Sequence, residues 1–354
     1  MTLNSDEPLR SVHTLNFPHI LEQLQISLVV STYQAGKVIL LRADGDKMNT
    51  HFRTFNKPMG LCCDRARLTL GTACEIVEFY NMPAVAAKLE PVGKHDACYI
   101  PRNLHVTGDI DIHEMARGDG ELWFVNTRFS CLCTLDPAYS FVPRWQPPFI
   151  SALGMEDRCH LNGLGVVDGR PKYATALGET NEPQGWRENK AKGGILMDVE
   201  GNTVLCRGLS MPHSPRWYRG KLWVLESGKG SLATVDMAAG KLETVAEFPG
   251  FTRGLAFYGP LAFVGLSQVR ETATFSGIPL TERLVERICG VWVLNVQTGE
   301  AIAFLRFEDA VQEIFAVGVL PDTRYPEILQ DDEERLAHSY ALPDEALKSV
   351  ISYQ

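Results

Sequence analysis

The sequence predicts an all-β protein, a six-bladed β-propeller closed by N-terminal strands that pair with the C-terminal blade. Three observations predict it: a unit of two apolar strands around a tight turn recurs, further short strands follow most copies, and the period is about 40 to 50 residues. We expect the propeller at 20–329, an N-terminal arm at 1–19 and a short helical C-terminal tail at 330–354.

The repeat is clearest in "IHEMARGDGELWFVNT", which begins at Ile112, and "PHSPRWYRGKLWVLES", which begins at Pro212. The two align without a gap and place His113 and His213 at the same position, followed by a turn Gly and by Leu-Trp. Further copies begin at 58, 161 and 252. Each copy reads as two strands of one blade.

The sixth copy is divided between the chain ends. "EIFAVGVLP" from Glu313 supplies a first strand, and "ISLVVSTYQAGKVILLRA" from Ile26 supplies the strands after it. Long inserts at 178–194 and 267–290 leave the ends of second strands. This division predicts that both ends of the chain complete one blade.

Composition excludes several classes of function. Hydrophobic residues make up 45% of the 354 residues, and the net charge of −9 comes without a basic stripe. A large core is therefore expected, and neither nucleic acid nor a membrane is expected as a partner. The start has no signal-like segment, and nine Cys without a CxxC motif indicate reduced thiols. We expect a cytoplasmic protein.

Polar residues of different blades are predicted to meet at one mouth of the central channel. The first strand of each blade lines the channel, so residues at its start converge there. This places His113, the aligned Asn162 and His213 together, with Arg253 or Thr252 from the fifth copy. The ends of the second strands bring Asn126 with Thr127 and Glu226 with Ser227 to the same mouth, and the second insert brings Arg270.

These residue types indicate a chemical site. His113 and His213 are candidate ligands for one divalent ion (zinc, iron or calcium) and, with Glu226, candidate catalytic groups. The candidate ligand-binding residues are Asp111, Asn126, Asn162, Arg253 and Arg270.

The spacing in "TGDIDIHE" places Asp109, Asp111 and His113 on one face of an extended segment, with Glu114 on the opposite face. His160 falls on a predicted loop, where we expect it to be solvated.

The leading hypothesis is a hydrolase or lyase acting on a small molecule or a peptide side chain, with or without a metal. Without a metal, one His would serve as the general base. Two alternatives remain open: the His pair is purely structural, or the propeller is a non-catalytic protein-interaction module.

The unit count and polar mouth resemble the six-bladed propellers of the gluconolactonase, paraoxonase and strictosidine-synthase kind. That resemblance implies a divalent ion at the channel mouth, although two His stand where those proteins use oxygen ligands. The motifs "STYQAGKV", "TGDIDIHE", "NTRFSCLC", "PHSPRW", "LWVLESG", "GFTRGL" and "GLSQVRE" resemble a bacterial conserved-hypothetical propeller family. That second resemblance supports the fold and implies no particular activity.

Overall fold

A computed structural model describes residues 9–269, 275–330 and 332–348. Within these residues the strands form six separate sheets, and the innermost strands of neighbouring sheets contact one another in a closed ring. The predicted six-bladed propeller is confirmed. No helix of the described part is long and apolar enough to cross a bilayer.

The N-terminal elements are β1 (Ser11–His13), α1 (Asn16–Leu24), β2 (Ser27–Thr32), β3 (Lys37–Asp44) and β4 (Lys47–Thr54). Blade 1 follows with β5 (Leu61–Cys63), β6 (Arg67–Gly71), β7 (Glu75–Asn81), α2 (Pro83–Ala86) and β8 (Ala97–Val106). Blade 2 contains β9 (Ile112–Gly118), β10 (Glu121–Asn126), β11 (Cys131–Asp136) and β12 (Tyr139–Trp145). Blade 3 contains β13 (Leu161–Val167), β14 (Arg170–Ala176), a 3₁₀ turn (Gly185–Asn189), β15 (Gly194–Asp198) and β16 (Thr203–Leu209).

Blade 4 contains β17 (Pro212–Tyr218), β18 (Lys221–Glu226), β19 (Ser231–Asp236) and β20 (Lys241–Glu247). Blade 5 contains β21 (Phe251–Tyr258), β22 (Leu261–Ser267), α3 (Pro279–Arg283), β23 (Cys289–Asn295) and β24 (Ala301–Phe307). The chain continues with β25 (Ala316–Leu320), β26 (Pro326–Ile328), α4 (Glu333–Ala337) and α5 (Asp344–Leu347).

Blade 6 joins the two ends of the chain, as predicted. Its inner strand β25 pairs with β2, with Ser27 opposite Leu320, and β3 and β4 complete the sheet. Two more terminal strands widen other blades: β1 adds to β24, and β26 pairs in parallel with β8. The N-terminal segment is thus tied to blade 5, and the predicted boundary after residue 19 falls inside α1.

The core lies between the faces of adjacent blades. One apolar cluster joins blades 2 and 3, where Leu132 and Leu164 are members, and another joins blades 4 and 5, where Trp223 and Leu255 are members. Each buried side chain of this size contributes about 1.5–3 kcal/mol. This packing holds the inner strands, and therefore the channel mouth, in fixed positions.

Candidate functional site

Four consecutive blades begin with the same backbone turn. Two residues before the position that the repeat aligns with His113, the backbone is left-handed, which non-Gly residues seldom adopt. The residues in that conformation, called the rim residues here, are Lys57 (φ 52°), Asp111 (φ 59°), His160 (φ 51°) and Met211 (φ 47°). In three of these blades the aligned side chain two residues later lines the channel cavity: His113, Asn162 and His213.

The turn also orients the two channel imidazoles. Nδ1 of His113 lies 3.0 Å from the carbonyl oxygen of Asp111 and 2.8 Å from Oγ1 of Thr127. Nδ1 of His213 lies 3.0 Å from the carbonyl oxygen of Met211 and 2.9 Å from Oγ of Ser227. The two rings therefore have the same set of partners, which explains why the sequence repeats them at the same place.

These partners fix the tautomer of both rings. A carbonyl oxygen only accepts, so Nδ1 of His113 and of His213 must carry the proton. Thr127 uses its own proton in a 2.6 Å bond to the carbonyl of Leu161, which leaves its oxygen free to accept. Nε2 of each ring then carries a lone pair, and it makes no hydrogen bond to any described residue.

Both rings line one cavity inside the channel. Its volume is about 20 Å³, room for about one water molecule. The polar side chains that line it are His113, Glu114, Asn162, His213, Ser214, Arg216 and Arg253. The sequence prediction placed four of these seven residues there: His113, Asn162, His213 and Arg253.

Asn162 has one hydrogen-bonding group left over. Its Oδ1 accepts from Oγ1 of Thr175 at 2.7 Å, and the side chain is buried. Its Nδ2 has no hydrogen-bond partner among the described residues. An unpaired buried amide is costly, about 1–3 kcal/mol, so this donor fits a guest in the cavity that it lines.

Burial keeps both imidazoles neutral. Desolvation lowers the pKa of His113 and of His213 well below the ordinary value, since the charged form cannot be solvated in the channel. The charge of Arg253 lowers both pKa values further, and His160 lowers that of His113. At neutral pH both Nε2 lone pairs are therefore available as acceptors or bases.

Arg253 gives the cavity a positive charge. Its guanidinium carbon lies 3.6 Å above the ring centre of Phe315, and its Nη1 is 3.6 Å from Oε1 of Glu313. Burial raises the pKa of Glu313 to about 8 in spite of that neighbour, so its carboxyl group holds its proton at pH 7. Burial lowers the pKa of Arg253, but from so high a starting value that it stays charged.

The prediction for Glu114 was wrong. A regular strand would turn Glu114 away from the channel, but the β9–β10 pairing shifts between Phe124 and Asn126, which places a bulge at His113 and Glu114. The bulge turns Glu114 into the channel, where it accepts hydrogen bonds from Arg216 and from the backbone nitrogen of Leu164. The predicted alternation of Asp109, Asp111 and His113 is interrupted earlier, because β9 begins only at Ile112 and the backbone of Asp111 is left-handed.

The remaining predicted site residues that the structure describes do not line the cavity. Asp111 is on the rim and is held by Lys57 at 2.9 Å; burial alone would raise its pKa, but Lys57 lowers it overall. Asn126 caps its turn by accepting from the backbone nitrogen of Phe129 at 3.1 Å.

Glu226 pairs with Lys229 at 2.9 Å and accepts from the backbone nitrogen of Ser210. The hydroxyl residues that follow Asn126 and Glu226, Thr127 and Ser227, are the ones that reach the imidazoles. Arg270 lies outside the described residues.

His160 is not a solvated loop residue, as the sequence suggested. Its ring centre lies 4.8 Å from that of His113 and 4.5 Å from that of Trp186. Its Nδ1 lies 3.0 Å from both carboxylate oxygens of Asp157, and Nε1 of Trp186 donates to the same carboxylate at 3.0 Å. A third imidazole therefore stands at the mouth, directly beside the channel pair.

The donor set fits a divalent ion only in part. Two imidazole nitrogens suit zinc or iron, but Glu114 is already bonded to Arg216, and Arg253 brings a positive charge to the same cavity. Among the described residues, no group of three His, Cys, Asp or Glu side chains is arranged to hold a metal. The metal ion implied by the resemblance to lactonase-like propellers stays a prediction.

The fold and mouth define a six-bladed propeller with a polar, positively charged channel site. The chain belongs to the family described as "Domain of unknown function (DUF4915)", whose match spans residues 15–329. No curated protein matches the sequence significantly.

Two solved structures are similar to this chain. A chain of the nidogen/laminin complex has 10% identity and a TM-score of 0.51 over 83% of this chain and 98% of that chain. A catalytically inactive virginiamycin B lyase from Staphylococcus aureus with quinupristin has 11% identity and a TM-score of 0.41, over 85% and 99% of the two chains. At 10% identity the likeness to the nidogen/laminin chain concerns the fold alone.

Proposed function

We propose that this protein is a hydrolase in which His113 and His213 activate a water molecule in the channel cavity. The observation that carries the proposal is that both imidazoles line one cavity while a backbone carbonyl oxygen lies 3.0 Å from each Nδ1, an arrangement that leaves the lone pair on Nε2. A neutral imidazole with a free lone pair is the form that accepts a proton from water.

The size and polarity of the cavity support water as the guest. It has room for about one water molecule, which needs two acceptors for its hydrogens and donors for its oxygen. The Nε2 atoms of His113 and His213 supply the acceptors, and Nδ2 of Asn162 and the guanidinium of Arg253 supply the donors. The side chains that line the cavity thus complement a single water molecule.

The substrate would bind above this water, at the mouth. A cavity of about 20 Å³ excludes the substrate itself, so its reacting carbon must meet the water at the cavity entrance. The charge of Arg253 favours a negatively charged oxygen, either of the substrate or of the tetrahedral intermediate that hydrolysis forms. An ester, lactone or amide of a small molecule or a peptide side chain meets these requirements.

The test is a panel of chromogenic and alkyl esters, lactones and amides, assayed with the wild type and with His113→Ala and His213→Ala. Removal of a general base lowers the rate about 10²- to 10⁴-fold, and we expect such a loss in each variant. His19→Ala is the control, because His19 lies on α1 at the periphery and is half exposed. Full activity in the two channel variants would contradict the proposal.

The alternative, a non-catalytic docking propeller, is not favoured by the distribution of the exposed aromatic residues in the described part of the chain. The exposed aromatic residues there are Tyr139 on β12, Trp217 on β17 and Tyr340 near the C-terminus, so they do not share one blade. A docking face would gather such residues into one patch.

A further inference from the structure

Three rings and one carboxylate form a connected group at the mouth. Asp157 accepts hydrogen bonds from Nδ1 of His160 and Nε1 of Trp186, and the His160 ring lies between those of His113 and Trp186. Asp157 and His160 both have left-handed backbones, at φ 48° and 51°. Such strain costs about 1–3 kcal/mol per residue and persists where the surroundings hold it in place.

The partners of His160 differ in charge from those of His113. Nδ1 of His113 faces two neutral oxygens, whereas Nδ1 of His160 faces a carboxylate. A carboxylate beside Nδ1 orients the ring and stabilises a positive charge on it. Nε2 of His160 makes no hydrogen bond to any described residue, so it remains available at the mouth. Two imidazoles in contact therefore have Nδ1 partners of different charge.

We propose that His160 is the general acid of the reaction, that Asp157 and Trp186 position it, and that the substrates are therefore esters or lactones with poor, alkoxide-type leaving groups. This inference rests on the proposed hydrolase function. A general acid is needed only where the leaving oxygen cannot depart as an anion. This requirement defines the substrates as esters or lactones with alkoxide-type leaving groups.

In the proposed hydrolysis, one proton leaves the attacking water and one proton reaches the leaving oxygen. The water oxygen attacks the carbonyl carbon, and its proton passes to Nε2 of His113 or His213. The bond from that carbon to the leaving oxygen breaks, its electron pair stays on the oxygen, and the oxygen takes the proton from Nε2 of His160. The products are an acid and an alcohol. The channel imidazolium then releases its proton to solvent, and His160 regains one.

The experiment compares 4-nitrophenyl and ethyl esters of the same acyl groups, because nitrophenolate departs without a proton and ethoxide does not. In His160→Gln we expect kcat on the ethyl ester to fall about 10²- to 10⁴-fold, while kcat on the nitrophenyl ester falls less than tenfold. In Asp157→Asn we expect a smaller loss of kcat with the same leaving-group dependence and an unchanged KM. His105→Gln is the control, since His105 lies on β8 and bonds the carbonyl of Ser140.

Two failures are distinguishable. Equal losses on both esters in His160→Gln would show a structural role and overturn the assignment of His160, while leaving the water-activating pair intact. No turnover by the wild type of any ester, lactone or amide in the panel would overturn the proposed hydrolase function and the role of His160 with it, whereas turnover of amides alone would overturn only the assignment of esters and lactones as substrates.

Discussion

The hydroxyl oxygen of Thr127 lies 2.8 Å from Nδ1 of His113, a residue fourteen positions earlier in the chain. The same hydroxyl donates its proton to the carbonyl oxygen of Leu161 at 2.6 Å. One hydroxyl thus orients a channel imidazole and ties blade 2 to blade 3. Ser227 contacts His213 at the same separation of fourteen residues. Each of the two histidines that align in the sequence therefore contacts, in the fold, a hydroxyl residue fourteen positions later.

Thr127→Val should destabilise the protein and impair catalysis. The change preserves shape but leaves the Leu161 carbonyl without its donor, which costs about 1–3 kcal/mol in the free energy of unfolding. Urea unfolding measures this loss, and Thr127→Ser is the control that should restore most of it. A variant as stable as the wild type would mean that the hydroxyl contributes nothing to the joint between the blades.

Acid should destabilise the fold through the channel histidines. Because burial lowers the pKa of His113 and His213 in the folded state, the unfolded chain takes up protons below pH about 6.5 and the folded chain does not. Stability is complete above that pH and falls below it, by up to about 1.4 kcal/mol per pH unit for each ring. His113→Asn should flatten the decline measured by urea unfolding between pH 6.5 and 5. An unchanged slope would contradict the buried neutral state.

Glu313→Gln should stabilise the protein at neutral pH. The pKa of Glu313 is raised to about 8 by burial, so the folded carboxyl group stays protonated while the unfolded one ionises. Its contribution to stability is full below the ordinary pKa of about 4.5 and is lost as the pH rises toward 8. The glutamine avoids this loss, and we expect a gain on the order of 1–3 kcal/mol at pH 7 that disappears near pH 4. Destabilisation at pH 7 would instead indicate an ionised pair with Arg253.

Elemental mass spectrometry of protein purified without a metal-affinity step tests whether the cavity binds a metal ion. Because Arg253 lines the cavity beside both rings, we expect less than stoichiometric metal and no rise in melting temperature with zinc, iron(II) or calcium. One equivalent of metal that is lost in both His113→Ala and His213→Ala would support the metal site predicted from the sequence and replace the metal-free account.

The sequence predicted the blades well because a repeated unit leaves a repeated pattern. The ungapped alignment that contains His113 and His213 located the channel positions, and Asn162 followed from it. The same alignment also indicated the position of His160, because His160 lies two residues before Asn162 just as Asp111 lies two residues before His113. That signal was missed because the left-handed rim turn becomes apparent only in the backbone angles.

Other parts of the site could not be predicted in this way. The bulge that turns Glu114 into the channel depends on how β9 pairs with β10, and strand register is not contained in the pattern of one strand. Asn126 and Glu226 were chosen as the site residues at the strand ends, whereas their neighbours Thr127 and Ser227, which the pattern also brings to the mouth, are the ones that contact the imidazoles. The sheet geometry at the strand end decides between such neighbours.

The most direct test of the account is the ¹⁵N NMR spectrum of the histidine side chains, because it reports tautomer and charge without a substrate. Signals of the nine histidines are assigned by their loss in His113→Asn and His213→Asn. At pH 7 the account predicts that both channel rings are neutral, with the proton on Nδ1 and none on Nε2. A proton on Nε2 of either ring, or an imidazolium at that pH, would contradict the claim that this pair activates water.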